Sequence, residues 1–149
     1  MDLVRRNTDY ALRAMVSLVG HHGTKPISSR EAAQHGQIPY QLTCKLMQKL
    51  HNARLVESCM GPKGGFRLSR APSKISLLEV MEAIQGKVRL NRCLLGEDVC
   101  PHQKRCKIRT KLAELQQSIN NFLGSVALDE IAKAKAPRLK GQRDSRRRR

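Results

Sequence analysis

The sequence predicts a mainly α-helical chain with a small β-hairpin wing, that is, a winged helix-turn-helix followed by a long dimerisation helix. Three patterns predict it. The first half holds short amphipathic segments punctuated by capping signals. A glycine-dense hairpin follows the third of them. A heptad-spaced apolar seam runs through the later part.

Tyr10, Ala11, Ala14, Met15, Leu18 and Val19 recur as apolar pairs one helical turn apart, the face of a first helix that Gly20 and Gly23 end. Ser28 followed by Glu31 is a capping box opening a second helix, which Gly36 stops. Pro39 suits the first position of a third helix. There Leu42, Leu46, Met47 and Leu50 form the apolar stripe, and Gln41, Cys44, Lys45 and Gln48 share the opposite face. Two short helices, the second polar-faced and basic, fit a helix-turn-helix, although an ordinary packing pair has the same pattern. Leu55 and Val56 then begin a strand to Cys59. Gly61-Pro62-Lys63-Gly64-Gly65 supplies the turn, and Phe66-Arg67-Leu68 returns. That order is that of a wing, with a plain surface hairpin as the competing reading. Ser76 and Glu79 form a second capping box. Leu77, Val80, Met81 and Ile84 make the helix behind it amphipathic, and Gly86 ends it. Finally Ile108, Leu112, Leu115, Ile119, Phe122 and Val126 are spaced 4, 3, 4, 3, 4, a narrow seam that seeks a partner helix. The expected organisation is a DNA-binding unit over 1–86, a cysteine-bearing loop over 87–106, a dimerisation helix over 107–134 and a disordered basic tail over 135–149.

Charge narrows the function. Among 149 residues, 29 Lys and Arg face 12 Asp and Glu, a net charge of +17 with a pI near 10.5. From Pro137 to Arg149 seven basic residues and one acid give +6, which leaves +11 on the rest. A body this basic without its tail suits a polyanion, because each neutralised phosphate releases counterions. The tail reads either as a solvated appendage or as a non-specific nucleic-acid arm. No apolar run approaches a membrane span, and polar Asn7, Thr8 and Asp9 interrupt any signal-peptide core after Arg5 and Arg6. A cytoplasmic protein is expected, with no membrane partner and no small-molecule substrate. There is no nucleophile–base pairing, phosphate-binding glycine loop or catalytic acid pair, so an enzyme is not expected. Five cysteines, an odd number, argue against a disulfide framework.

Cys93, Cys100 and Cys106 form a C-x6-C-x5-C pattern within a 14-residue segment. It lacks the paired C-x2-C knuckles of structural zinc sites. Loop-borne thiolates suit an iron–sulfur cluster, and Lys104, Arg105 and Lys107 favour the thiolate form. Three cysteines leave a fourth ligand to come from elsewhere in the chain, from a partner subunit or from solvent. Zinc on the same cysteines with His102, or a metal-free thiol switch, are the alternatives.

These stretches resemble the IscR/NsrR/RirA-type bacterial winged-helix regulators, the Rrf-two family. The resemblance runs from about Leu3 to about Ala132. It rests on Thr8-Asp9-Tyr10-Ala11-Leu12-Arg13, on Ile38-Pro39-Tyr40 into Leu46 and Leu50, and on Leu55-Val56 and Gly61 to Leu68. It continues in Leu77-Leu78-Glu79-Val80-Met81-Glu82-Ala83-Ile84 and Leu90-Asn91-Arg92-Cys93-Leu94. It implies a homodimeric regulator of double-stranded DNA operators, a repressor by preference, that senses iron, nitric oxide or redox state. It implies cluster ligation by Cys93, Cys100 and Cys106 and a dimerisation helix from about Lys107. Asp9 matches the Thr-Asp position from which nitric-oxide-sensing members supply a fourth ligand across the dimer; it also suits a plain N-cap of the first helix. The histidine that biogenesis members place three residues after the third cysteine is Arg109 here, so [4Fe–4S] is preferred over [2Fe–2S]. The expected DNA contacts are Ser28, Arg30, Tyr40, Gln41, Lys45 and Gln48, with Lys63 and Arg67 in the wing. Three features depart from the family: a first cysteine gap of six residues where relatives often have five, Met60 where some carry a wing arginine, and the basic tail.

Overall fold

The computed structural model describes residues 2–94 and 100–135. Its helices are α1 (Arg6–Val19), α2 (Ser29–Gly36), α3 (Tyr40–Asn52), α4 (Leu77–Gln85), α5 (Lys107–Ser125) and α6 (Leu128–Lys133). Strands β1 (Val56–Cys59) and β2 (Gly65–Leu68) form an antiparallel hairpin between α3 and α4. Short 3₁₀ turns occur at Pro72–Lys74, Arg92–Leu94 and Gln103–Arg105. Of the predicted basic tail, only Lys135 lies within the described residues.

α1 begins at Arg6, ahead of the apolar face that predicts it. The reason is a long-range clamp. Gln85, at the end of α4, accepts hydrogen bonds from Thr8 Oγ1 at 2.6 Å and from the Arg5 N–H at 3.2 Å, and donates to the Leu3 carbonyl at 2.9 Å. The N-cap is therefore Arg5, with no side-chain cap, and Asp9 lies inside the first turn. Its N-cap reading is corrected accordingly.

Both capping boxes form as predicted. Ser28 Oγ accepts from the Glu31 N–H and the Ser28 N–H donates back to Glu31; Ser76 and Glu79 repeat the pattern. Pro39 is the N-cap of α3, one place before its expected position. α1, α2, α3 and α4 pack around Ala11, Met15, Leu18, Ala32, Leu46, Met47, Leu50 and Val80, all buried. At about 1.5–3 kcal/mol for each large apolar side chain, this core fixes the angle between α2 and α3. The hairpin pairs Val56 with Leu68 and Cys59 with Gly65, so Leu55 falls just before the strand. It is docked to the helix pair by a backbone bridge between Ile27 and Phe66, with bonds of 3.0 and 2.8 Å. Gly65 is required there, because an added Cβ would sit 2.2 Å from the Ile27 carbonyl oxygen.

The predicted helix over 107–134 is two helices. α5 stops at Ser125, leaving Val126 beyond its end. The chain then bridges Ala127 to Ser76, with Leu77 N–H donating to the Val126 carbonyl at 2.9 Å and Leu128 N–H to the Ile75 carbonyl at 2.8 Å. α6 returns to α1, and Leu128 joins the main core. The heptad seam also divides. Of its members Ile119 is partly buried against Leu123, a residue outside the seam that packs with Met81 and Val88 beneath α4, whereas Ile108, Leu115 and Phe122 stay exposed.

Candidate nucleic-acid interface and metal centre

α3 presents Tyr40, Gln41, Lys45 and Gln48 to solvent, while Thr43, Leu46, Met47 and Leu50 face the core. Thr43 is a polar core residue that the apolar stripe conceals. Its hydroxyl donates to the Pro39 carbonyl at 3.1 Å, which allows its burial. The Arg30 guanidinium lies 5.0 Å over the Tyr40 ring, joining the start of α2 to the start of α3 through a cation–π contact. Among the described residues no carboxylate lies within ion-pair reach of Arg30, Lys45 or Lys63. A polyanion therefore meets these charges without displacing a carboxylate among the described residues. Lys49, at the end of α3, instead donates to the Ile84 carbonyl at 3.4 Å, fastening the recognition helix to the end of α4.

Two residues expected to meet DNA also have partners within the chain. The Ser28 hydroxyl is committed to its capping box, where it accepts from the Glu31 N–H and donates to the Glu31 carboxylate at 3.0 Å. These bonds from the Ser28 backbone and hydroxyl, outweighing slight desolvation, hold the Glu31 carboxyl below its ordinary value. Arg67 pairs with Glu57 across the hairpin at 3.0 Å. Gln48 bonds Asn52 on its own helix at 3.0 Å but stays exposed.

The cysteines are half-buried and free. Cys106 is the N-cap of α5, and its sulfur accepts the Arg109 N–H at 3.4 Å. Arg109 Nε donates to the Cys93 carbonyl at 3.1 Å, so one side chain ties the segment carrying Cys93 to the helix end carrying Cys106. Gln116, buried one face round α5, accepts from the Leu90 N–H at 2.8 Å and donates to the Val88 carbonyl at 3.0 Å and to Asn120 at 2.9 Å. The chain leading to Cys93 is thus held against α5 at two levels. Among the described residues no three His, Cys, Asp or Glu side chains form a metal-holding group. Asp9 pairs with Arg13 at 2.8 Å and sits on a groove of about 770 Å³ with Leu12, Val16, His21, His35 and Ile131; none of the three cysteines lines it.

The sequence profile of a family described as an iron-dependent transcriptional regulator, Rrf2, matches residues 4–134. The chain belongs to the Rrf2 family. This Rrf2 protein is 31% identical over 124 residues to the HTH-type transcriptional regulator IscR of Xenorhabdus nematophila, covering 83% of this chain and 75% of the relative. CymR of B. subtilis, described as the global cysteine regulator, superposes with a TM-score of 0.73 at 24% identity, covering 91% of this chain and all of the other (100%). IscR of T. potens superposes with a TM-score of 0.69 at 21% identity, over 90% and 93% of the two chains. Those two likenesses establish the fold, and the Rrf2 match with the IscR relative establishes a helix-turn-helix transcriptional regulator rather than an enzyme. Among its described residues no helix is long and apolar enough to cross a membrane.

Proposed function

We propose that this Rrf2 regulator acts in the cytoplasm as a homodimeric repressor whose hold on a two-half-site operator responds to an iron–sulfur cluster. Cys93, Cys100 and Cys106 are its ligands, [4Fe–4S] is the preferred form, and the partner subunit's Asp9 is the fourth ligand. The observation that carries this reading is the sulfur at the head of α5. It receives a backbone N–H, and the same arginine grips the segment bearing a second cysteine. Thiol donors at a cationic helix end suit an iron–sulfur centre. When bound, such a centre supplies reactivity toward oxidants, nitric oxide and iron supply. The protein's own part is mechanical. Arg109 and Gln116 join the cysteine segment to α5 and to the residues after α4, and Lys49 joins the end of α4 to α3. The position of the cysteine segment is thereby linked to that of the reading helix.

On DNA, α3 enters the major groove. Tyr40, Gln41 and Lys45 meet base edges and phosphates, with Gln48 beside them, while Arg30 and Lys63 meet the backbone. The tail from 138 to 149 serves as a non-specific arm. Selection of duplexes from a random-sequence pool tests the interface. Lys45→Ala should weaken binding, and Gln41→Ala should relax base preference more than affinity. Unchanged affinity and unchanged preference would remove α3 as the reader. Removing 138–149 should flatten the salt dependence by about 0.9 in slope for every phosphate that the tail neutralises, leaving the preferred sequence unaltered.

A further inference from the structure

The chain has a second cationic surface, and its assignment rests on the DNA-binding reading of α3. Two adjoining clefts of about 290 and 370 Å³ lie where the start of α1, the end of α3 and the residues after α4 meet. Arg5 and Gln85 line both, so the two form one trough. It is lined by six cations, Arg5, Arg6, Lys49, Lys87, Arg89 and Arg92, against a single acid, Asp2. None of the six forms an ion pair with a carboxylate of the described residues. Arg6 donates through Nε to the Tyr10 hydroxyl at 3.0 Å, and Lys49 gives one N–H to the Ile84 carbonyl, which leaves the others for a ligand. The floor is braced. Gln85 ties the chain before α1 to the end of α4 through Leu3, Arg5 and Thr8, and Lys49 ties α3 to the same helix end. Above it Arg5, Arg6, Lys49, Lys87 and Arg92 are exposed, with Arg89 half-buried. Like charges gathered in this way repel one another, and an anion laid along them relieves the repulsion. A small anion reaches one or two of them, whereas a chain of regularly spaced phosphates reaches all.

The trough also continues the reading surface. Lys49 follows Lys45 by one helical turn on α3, about 40° further round the axis. It shares one cleft with Arg5 and Arg6, and Arg5 shares the next with Lys87, Arg89 and Arg92. We infer that this trough holds the DNA backbone just outside each half-site, and that the cysteine-bearing segment is thereby a DNA-contacting element itself. Arg92 precedes Cys93 in the chain, and Arg109 holds the Cys93 carbonyl. A shift of that segment therefore moves a phosphate ligand directly, besides acting through α4 and α3. Reciprocally, flanking duplex bound in the trough favours one placement of the segment.

The test uses full-length protein and a duplex that it selects from a random-sequence pool, prepared in two lengths. One ends at the half-sites, and the other extends each end by about ten base pairs, one helical turn. Wild-type protein should bind the extended duplex more tightly and with a steeper salt dependence. Arg5→Gln with Lys87→Gln should lower that slope by about 1.8, at about 0.9 per phosphate, and Arg92→Gln alone by about half as much. Neither should change the slope on the short duplex or the preferred sequence. Lys74→Gln removes one charge from an exposed site outside the trough and should leave both slopes unchanged. Lys45→Ala should weaken binding to both lengths, which separates the trough from the reading helix. A wild-type slope for the double variant on the extended duplex would overturn the trough and leave α3 as the reader. So would an equal loss on both lengths, the mark of a diffuse field. A slope that holds while binding to polyglutamate falls would assign the trough to an acidic protein and overturn the DNA contact. An unchanged slope for Arg92→Gln would overturn the cysteine segment's part in it. Wild-type protein that selects no duplex would overturn the reading of α3 and the trough together.

Discussion

Phe122→Ala should cripple the dimer and spare the monomer. Phe122 is 65% exposed on α5, in register with Ile108 at 71% and Leu115 at 50%, each seven residues from the next. A phenylalanine side chain offers on the order of 150–200 Å² of surface, so roughly 100–130 Å² remains for a partner. At about 25 cal/mol per Å² that is close to 3 kcal/mol per protomer. A two-fold interface counts the loss twice, while ordering and imperfect packing cancel a large part of it. A net loss of about 3–4 kcal/mol is expected, a weakening of the dimer dissociation constant of more than a hundredfold. Within one chain the same ring touches little, so urea unfolding of the monomer should change by no more than about 0.5 kcal/mol. Sedimentation equilibrium over a concentration series reads the first quantity. A variant that dimerises as tightly as wild type would refute the assignment of this stripe to the interface. A monomer made much less stable would show instead that the stripe packs within its own chain.

Two further outcomes follow from the same structure. Gln116→Leu removes a buried amide and leaves the Leu90 N–H and the Val88 carbonyl without that partner, so unfolding free energy should fall by about 1–3 kcal/mol; a change below about 0.5 kcal/mol in urea denaturation would contradict the clamp. Partial burial raises the Glu79 carboxyl, but bonds from Ser76 and the charge of Arg70 outweigh it and hold the group below its ordinary 4.5. Since the folded value lies below the unfolded one, this stabilisation is complete above pH 4.5 and fades as pH falls through the folded value. Glu79→Gln should therefore flatten the acid limb of a stability–pH curve; an identical limb would count against the capping box as its source.

What the sequence makes legible here is local chemistry. A Ser and a Glu three apart satisfy each other's backbone groups, so α2 and α4 announce their own beginnings. Gly61 before Pro62, with Gly64 and Gly65 behind it, announces the hairpin through backbone freedom, and Gly61 takes a φ of 112°. The Ser28 capping box also shows how one residue can be assigned twice: the pattern that marks the helix start already engages the hydroxyl that was expected to meet DNA. Long-range pairings left no such mark. The heptad spacing continues through Val126, yet α5 ends before it because Ala127 pairs with Ser76, distant in sequence. Likewise, nothing near Gln116 or Gln85 distinguishes a buried clamp from an exposed amide. The pairing of Arg67 with Glu57 likewise came only with the strand register that sets the two opposite each other. For the cysteines, spacing carries only the expectation of a shared centre, whereas the link through Arg109 needed the helix end in place.

The most direct test of the central claim is the iron and acid-labile sulfide content of full-length protein purified without oxygen, measured alongside Cys106→Ser. The account predicts brown wild-type protein with near-equal iron and sulfide, and a colourless variant that retains its fold by circular dichroism. Colourless wild-type protein carrying stoichiometric zinc, or no metal at all, would contradict it.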